Sequence, residues 1–105
     1  MARILVVCGA GASSTFLAHR MRALAAERGI AVVVEAAAES DLAVLSAGVD
    51  VVLVGHHLHE RFDQLSRMIT SEGAAAVLLP PAVFTPAGAT AALDAALTAM
   101  AGRVD

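Results

Sequence analysis

Arg3-Ile-Leu-Val-Val-Cys8-Gly-Ala-Gly-Ala-Ser-Ser-Thr15 is the stretch that decides the fold. Arg3 to Val7 is a short, continuous apolar run rich in β-branched residues, the pattern of a strand buried on both faces. Small residues follow from Cys8, and a helix is expected from about Ser14 to Arg28. Leu17, Met21 and Leu24 recur on one face, and Gly29 is placed to end the helix. A strand that feeds a helix through a tight loop is half of a βαβ unit. The unit repeats. Ile30 to Glu35 reads as a second strand, and Ser40 is placed to cap a short helix over Asp41 to Ala47, closed by Gly48. Val49 to Val54 makes a third strand, with Asp50 out of character near its start. His56 to Thr70 reads as a helix with Leu58, Phe62, Leu65 and Ile69 on one face. Ala75 to Leu79 is the fourth strand, Pro80 to Gly88 a loop, and Ala89 to Ala101 a closing helix with Leu93, Leu97 and Met100 inward.

Four such alternations with short links imply an α/β three-layer sandwich, a four-stranded parallel sheet with helices on both faces. The 105 residues make one domain, 1–105, long enough to bury its own core. Hydrophobic residues reach 58%, but 25 are alanine and aromatics are only 3%, so the composition is rich in small side chains rather than bulky ones. A net charge of −3, with no basic cluster or interleaved aromatics, argues against nucleic acid as a partner. One cysteine excludes an internal disulfide and suits a reducing cytoplasm. No apolar run is long enough to be a membrane helix. Arg3, the apolar run and Ala10-Gly11-Ala12 faintly imitate a signal peptide, but one Arg is a thin charged region and cleavage would delete the first strand.

In parallel sheets of this kind the site lies outside the carboxyl ends of the strands. Of the segments ending there, Cys8 to Thr15 carries the most chemistry. Gly9, Ala10, Gly11 and Ala12 let the backbone curl so that successive N–H groups form an anion nest. Ser13, Ser14 and Thr15 stand at the helix start, where unsatisfied donors and partial positive charge favour anions. The same field stabilises a thiolate, and cysteines so placed have pKa values of ~3.5–7.5. Phosphate and thiolate then share one cradle, as a phosphocysteine intermediate requires. Read alone, Cys8 has a plainer alternative, a buried structural thiol at a strand end. The loop matches neither a Rossmann fingerprint, since Ser14 stands where a third Gly belongs, nor a Walker loop.

The stretch Ile4-Leu-Val-Val-Cys-Gly-Ala-Gly-Ala-Ser-Ser-Thr15, followed by Leu17-Ala-His-Arg-Met21, resembles the enzyme IIB component of the sugar phosphotransferase system, lactose/cellobiose (chitobiose) type. Val34-Glu-Ala36 with Glu39, and Asp50-Val-Val-Leu-Val-Gly55, resemble the second and third strands of that family. The likeness covers nearly the whole length. It implies that Cys8 accepts a phosphoryl group and that Gly9 to Thr15 form its phosphate loop. It also implies a IIA phosphohistidine as donor, a membrane IIC permease presenting the sugar as receiver, and no metal or nucleotide cofactor. Two departures flank the site. His56 and His57 follow Gly55 where the cellobiose type usually has Pro-Gln, and the Pro80 to Gly88 loop is rich in Pro.

Two other classes compete. Cysteine phosphatases and arsenate reductases share the loop logic but need an Arg six residues after the cysteine. That position is Ser14. A non-catalytic regulatory module of flavodoxin-like shape would leave Cys8 incidental. His56, His57 and His59 at the third helix start either meet phosphate or donor, or simply decorate a solvated helix end. His19, Arg20 and Arg22 are either a patch for an acidic partner or an ordinary charged face. Phe16 is either an exposed docking residue or core.

Overall fold

The computed structural model describes residues 2–8, 12–42, 48–80 and 88–101; of residue 8 and residues 12–14 it describes the backbone. Four strands, β1 (Ala2–Cys8), β2 (Val32–Ala38), β3 (Val51–Val54) and β4 (Ala75–Leu78), form one sheet in the order β2-β1-β3-β4. Every pairing is parallel, with Val6 opposite Ala36 in β2 and opposite Leu53 in β3. The three-layer expectation therefore stands.

The two central strands explain their own composition. Ile4 to Val7 in β1 are at most 3% exposed, and Val51 to Val54 in β3 are fully buried. A strand covered on both faces has no use for alternation. Side chains split by parity between two clusters. Ile4, Val6, Val51 and Leu53 meet Leu17 and Met21 of α1 (Ala12–Glu27) and Leu93 of α3 (Gly88–Ala101). Leu5, Val7, Val52 and Val54 meet Leu42, Leu58, and Leu65 and Ile69 of α2 (Phe62–Ser71).

Several boundaries move, each for a local reason. Strand β2 starts at Val32 and runs to Ala38, because its ladder follows β1 residue for residue as far as Cys8. The third strand loses Val49 and Asp50, which precede the β3 ladder. Asp50 lends its carboxylate to the Arg3 backbone N–H at 2.8 Å, while its own N–H donates to the Arg3 carbonyl at 2.9 Å. Ser40 lies within a 3-10 turn, Glu39–Asp41, whose own N-cap is Ala38 with no side-chain cap bond, and Leu42 after it is helical. The rest of the expected helix, 43–47, lies outside the described residues. The helix expected from His56 begins as a 3-10 segment, His56–Arg61, and becomes α-helical at Phe62.

Gly29 does end α1. Its φ of 67° opens a left-handed turn in which Gly29 N–H donates to the Ala26 carbonyl and Ile30 N–H to the Ala25 carbonyl. These are the paired bonds of a Schellman cap.

Candidate functional site

A parallel sheet ordered β2-β1-β3-β4 has one place where the chain reverses its direction of travel across the sheet. From β1 it goes outward to β2, then crosses back to β3 on the other side. Neighbouring connections there diverge to opposite faces, which opens a crevice between the carboxyl ends of β1 and β3. Cys8 is the last residue of β1, in register with Ala38. On the other side of the crevice, Gly55 N–H donates to the Val7 carbonyl at 2.8 Å. Gly55 thus extends β3 to the level of Cys8, and His56 is the next residue out.

Only three residues separate Cys8 from Ala12, the first of α1. Helix α1 begins two residues earlier than expected, so Ser13 and Ser14 stand within its first turn and neither precedes it as a cap. The first four N–H groups of an α-helix lack intrahelical partners, and the helix dipole leaves this end partially positive. Ala12, Ser13 and Ser14 are the first residues of this end. Gly9, Ala10 and Gly11, the rest of the expected phosphate loop, lie outside the described residues.

The nearby polar groups sort themselves by contact. His56 and His59 stack with ring centroids 5.0 Å apart and planes 17° from parallel. The two positions eclipse in a 3-10 turn, where residues three apart share a side. His59 Nδ1 lies 3.0 Å from the His56 carbonyl, which can only accept, so Nδ1 carries the proton. Arg61 pairs with Glu39 at 2.6 Å, tying this segment to the turn that follows β2. Leu58, 3% exposed, anchors the same segment in the core.

On α1, Phe16 is 55% exposed, which removes it from the core. The Arg20 guanidinium lies over its ring, 5.1 Å from the centroid. Arg22 turns back to donate to the Val34 carbonyl of β2. Arg20 and Arg22 are therefore engaged in different directions and do not make one patch. His19 and Arg20 line an open groove of about 430 Å³ with Ala23, Leu24, Glu27, Ala89 and Thr90, between α1 and α3. The stacked histidine pair is the feature that sequence reasoning left undecided. Its signal was the His-x-x-His spacing of His56 and His59, directly after a buried strand. No helix among the described residues is long and apolar enough to cross a membrane.

Fold and crevice together define an α/β domain with a cysteine at the switch point of a four-stranded parallel sheet. Residues 3–81 match the family model of the PTS system, lactose/cellobiose-specific IIB subunit, and the chain belongs to that family. Among solved structures it is similar to the lactose-specific IIB component domain of the phosphoenolpyruvate:carbohydrate phosphotransferase system from Streptococcus pneumoniae. That match has a TM-score of 0.82 at 15% identity, covering 93% of this chain and 96% of the other. It is also similar to the cellobiose-specific phosphotransferase IIB component of Borrelia burgdorferi, with a TM-score of 0.76 at 24% identity, covering 99% and 95%. At these identities the two structures speak for the fold alone. No curated protein matches the sequence.

Proposed function

We propose that this chain, acting as one domain, is a phosphoryl carrier that is loaded on Cys8 and unloaded onto a sugar. The supporting observation is the position of Cys8. In a chain of the IIB family, the one cysteine ends the β1 backbone at the switch point, with three residues between it and the first residue of a helix. Loading is an in-line displacement. The Cys8 thiolate attacks the phosphorus of a phosphohistidine on a IIA protein or domain, the S–P bond forms, and the P–N bond breaks. The donor imidazole leaves with the electron pair. Unloading reverses the role of sulfur: a sugar hydroxyl attacks phosphorus, gives up its proton, and the thiolate departs with the S–P pair. The sugar, a β-glucoside of cellobiose or chitobiose type or a lactose-like disaccharide, is presented by a IIC permease at the cytoplasmic membrane face.

Such chemistry asks the protein to position the group and stabilise charge. Gly9 to Thr15 form the proposed phosphate loop, whose backbone N–H groups are assigned that purpose. Ser14 occupies the place where a phosphatase would carry its arginine, which leaves attacking water without that assistance. The domain should therefore hold phosphate without hydrolysing it.

The test begins with the general phosphotransferase proteins, phosphoenolpyruvate and a lactose/cellobiose-type IIA. Intact-mass measurement should find one added phosphate, absent from Cys8→Ser. Phosphate retained on that variant, or mapped to a histidine, refutes the assignment. Cys8-dependent turnover of an aryl phosphate at enzymatic rates, roughly 1–10³ s⁻¹, would replace the carrier by a phosphatase.

A further inference from the structure

A phosphoryl group on Cys8 brings about two negative charges to an edge that has few cations to meet them. The sequence from Gly9 to Phe16 holds no ionisable side chain, nor does Pro80 to Thr90. The 43–47 segment holds none either. Arg61 is paired with Glu39. Arg20 lies over Phe16 on the α1 side, and its charge does not change with pH in the working range. What remains next to the crevice is imidazole. His56 follows Gly55, which is hydrogen-bonded to the residue before Cys8, and the 3-10 segment bearing both histidines packs against β1.

We propose that the stacked His56–His59 pair supplies the side-chain cation for phosphate on Cys8, so that loading the cysteine is coupled to protonation of the pair. This rests on the carrier reading above and adds a residue pair to it.

The geometry gives the coupling its form. The bond to the His56 carbonyl fixes the proton of His59 on Nδ1 and leaves Nε2 as the atom that gains or loses one. The rings stack with centroids 5.0 Å apart, so a charge on either one lies beside the other. The ionisable groups on the segments packed around it are His57, Glu60 and Arg61 on the same 3-10 segment, Asp63 and the exposed Arg67 on α2, Glu39 and Asp41 beyond β2, Arg3 at the far end of β1, and Cys8 itself. Glu39 is already neutralised by Arg61. Cys8 is the group in this set that gains a large charge during the reaction. His59 is exposed and His56 half-buried, so protons reach the pair from solvent. By linkage, a dianion that favours the protonated pair is itself favoured at lower pH. Loading is then strongest below the histidine range and weakens as pH rises through it.

The test uses the full chain with labelled histidine rings, titrated by NMR from about pH 5 to 8, before and after loading by the IIA donor. A rise of roughly 1 unit in the pair on loading corresponds to ~10-fold in the loading equilibrium across the titration. The expected result is an upward shift of the pair on loading, together with that pH dependence. Both should persist in His57→Gln and vanish in His59→Gln and His56→Gln. The exposed His59 site keeps the test open should His56→Gln fold poorly. Histidines that do not move on loading, or a response lost only in His57→Gln, overturn this proposal alone. A wild-type chain that takes no phosphate at any pH overturns the carrier reading, and this proposal with it.

Discussion

The two edges of the sheet are built on opposite plans. At the amino edge, polar groups close on one another. Asp50 accepts from the Arg3 backbone, donates its own N–H back to the Arg3 carbonyl, and takes the Ala75 N–H on its carbonyl, so one residue joins β1, β3 and β4. Arg3 also pairs with Glu35 of β2. At the carboxyl edge the sequence supplies glycine, alanine, hydroxyls, one thiol and three histidines around the switch-point crevice. One edge ties β1, β3 and β4 through a single residue; the other is where the proposed site lies. The difference shows that polar residues at strand ends can be assigned by the edge they occupy, since only one edge of a parallel sheet lies over diverging loops.

Substitutions at the two edges should separate chemistry from stability. The largest effect expected is at Cys8. Cys8→Ser should lose all transferable phosphate, read by intact mass, while keeping a cooperative urea transition. Retained transfer would erase the distinction between the edges. Next comes the frame between them. Leu53 is fully buried in β3, and Leu53→Ala should cost ~2–5 kcal/mol by urea unfolding. Its folded fraction should still accept phosphate. Asp50→Ala removes the acceptor of a partly buried backbone N–H and should cost ~1–3 kcal/mol, with loading of Cys8 unaffected. A loading defect larger than the stability defect would show that the amino edge reaches the site. Smallest is Glu35→Gln. The side chains of Arg3 and Glu35 are 43% and 49% exposed, so its loss should cost below ~1 kcal/mol and shrink further in high salt.

Much of this organisation was legible in the residues. The unbroken apolar runs in β1 and β3 announced strands buried on both faces, and Gly29 marked its helix end through a conformation that few other residues adopt. Leu58, Leu65 and Ile69 declared their common face by spacing alone. What sequence could not give was anything set by a distant partner. Asp50 looked misplaced in a strand because its role depends on Arg3, 47 residues away. The 3-10 turn over Glu39–Asp41, in which Ser40 lies, was not announced by residue type either. Strand order was the deeper gap. The alternation implied parallel strands, but only pairing β1 with both β2 and β3 places Cys8 beside Gly55 and His56. The stacking of His56 on His59 likewise depends on a 3-10 rather than an α-helical turn, a choice that the apolar spacing did not reveal.

The alanine-rich face carries a lesson about how this protein should be probed. Ala18 and Ala25 of α1, and Ala89, Ala92 and Ala96 of α3, are all buried on the α1/α3 side of the sheet, in contact with one another's cluster. Their small size lets two helices and a sheet approach closely, and the sensitivity of such a surface runs in one direction. An alanine scan would pass over it in silence, because the residues are already alanine. Enlargement is the informative change: a methylene or two added at Ala92 or Ala96 has no void to enter, and overpacking of this kind typically costs ~1–3 kcal/mol. A map drawn from truncations would register Leu93 on α3 but not its alanines, whereas one drawn from insertions of bulk would outline the whole buried face.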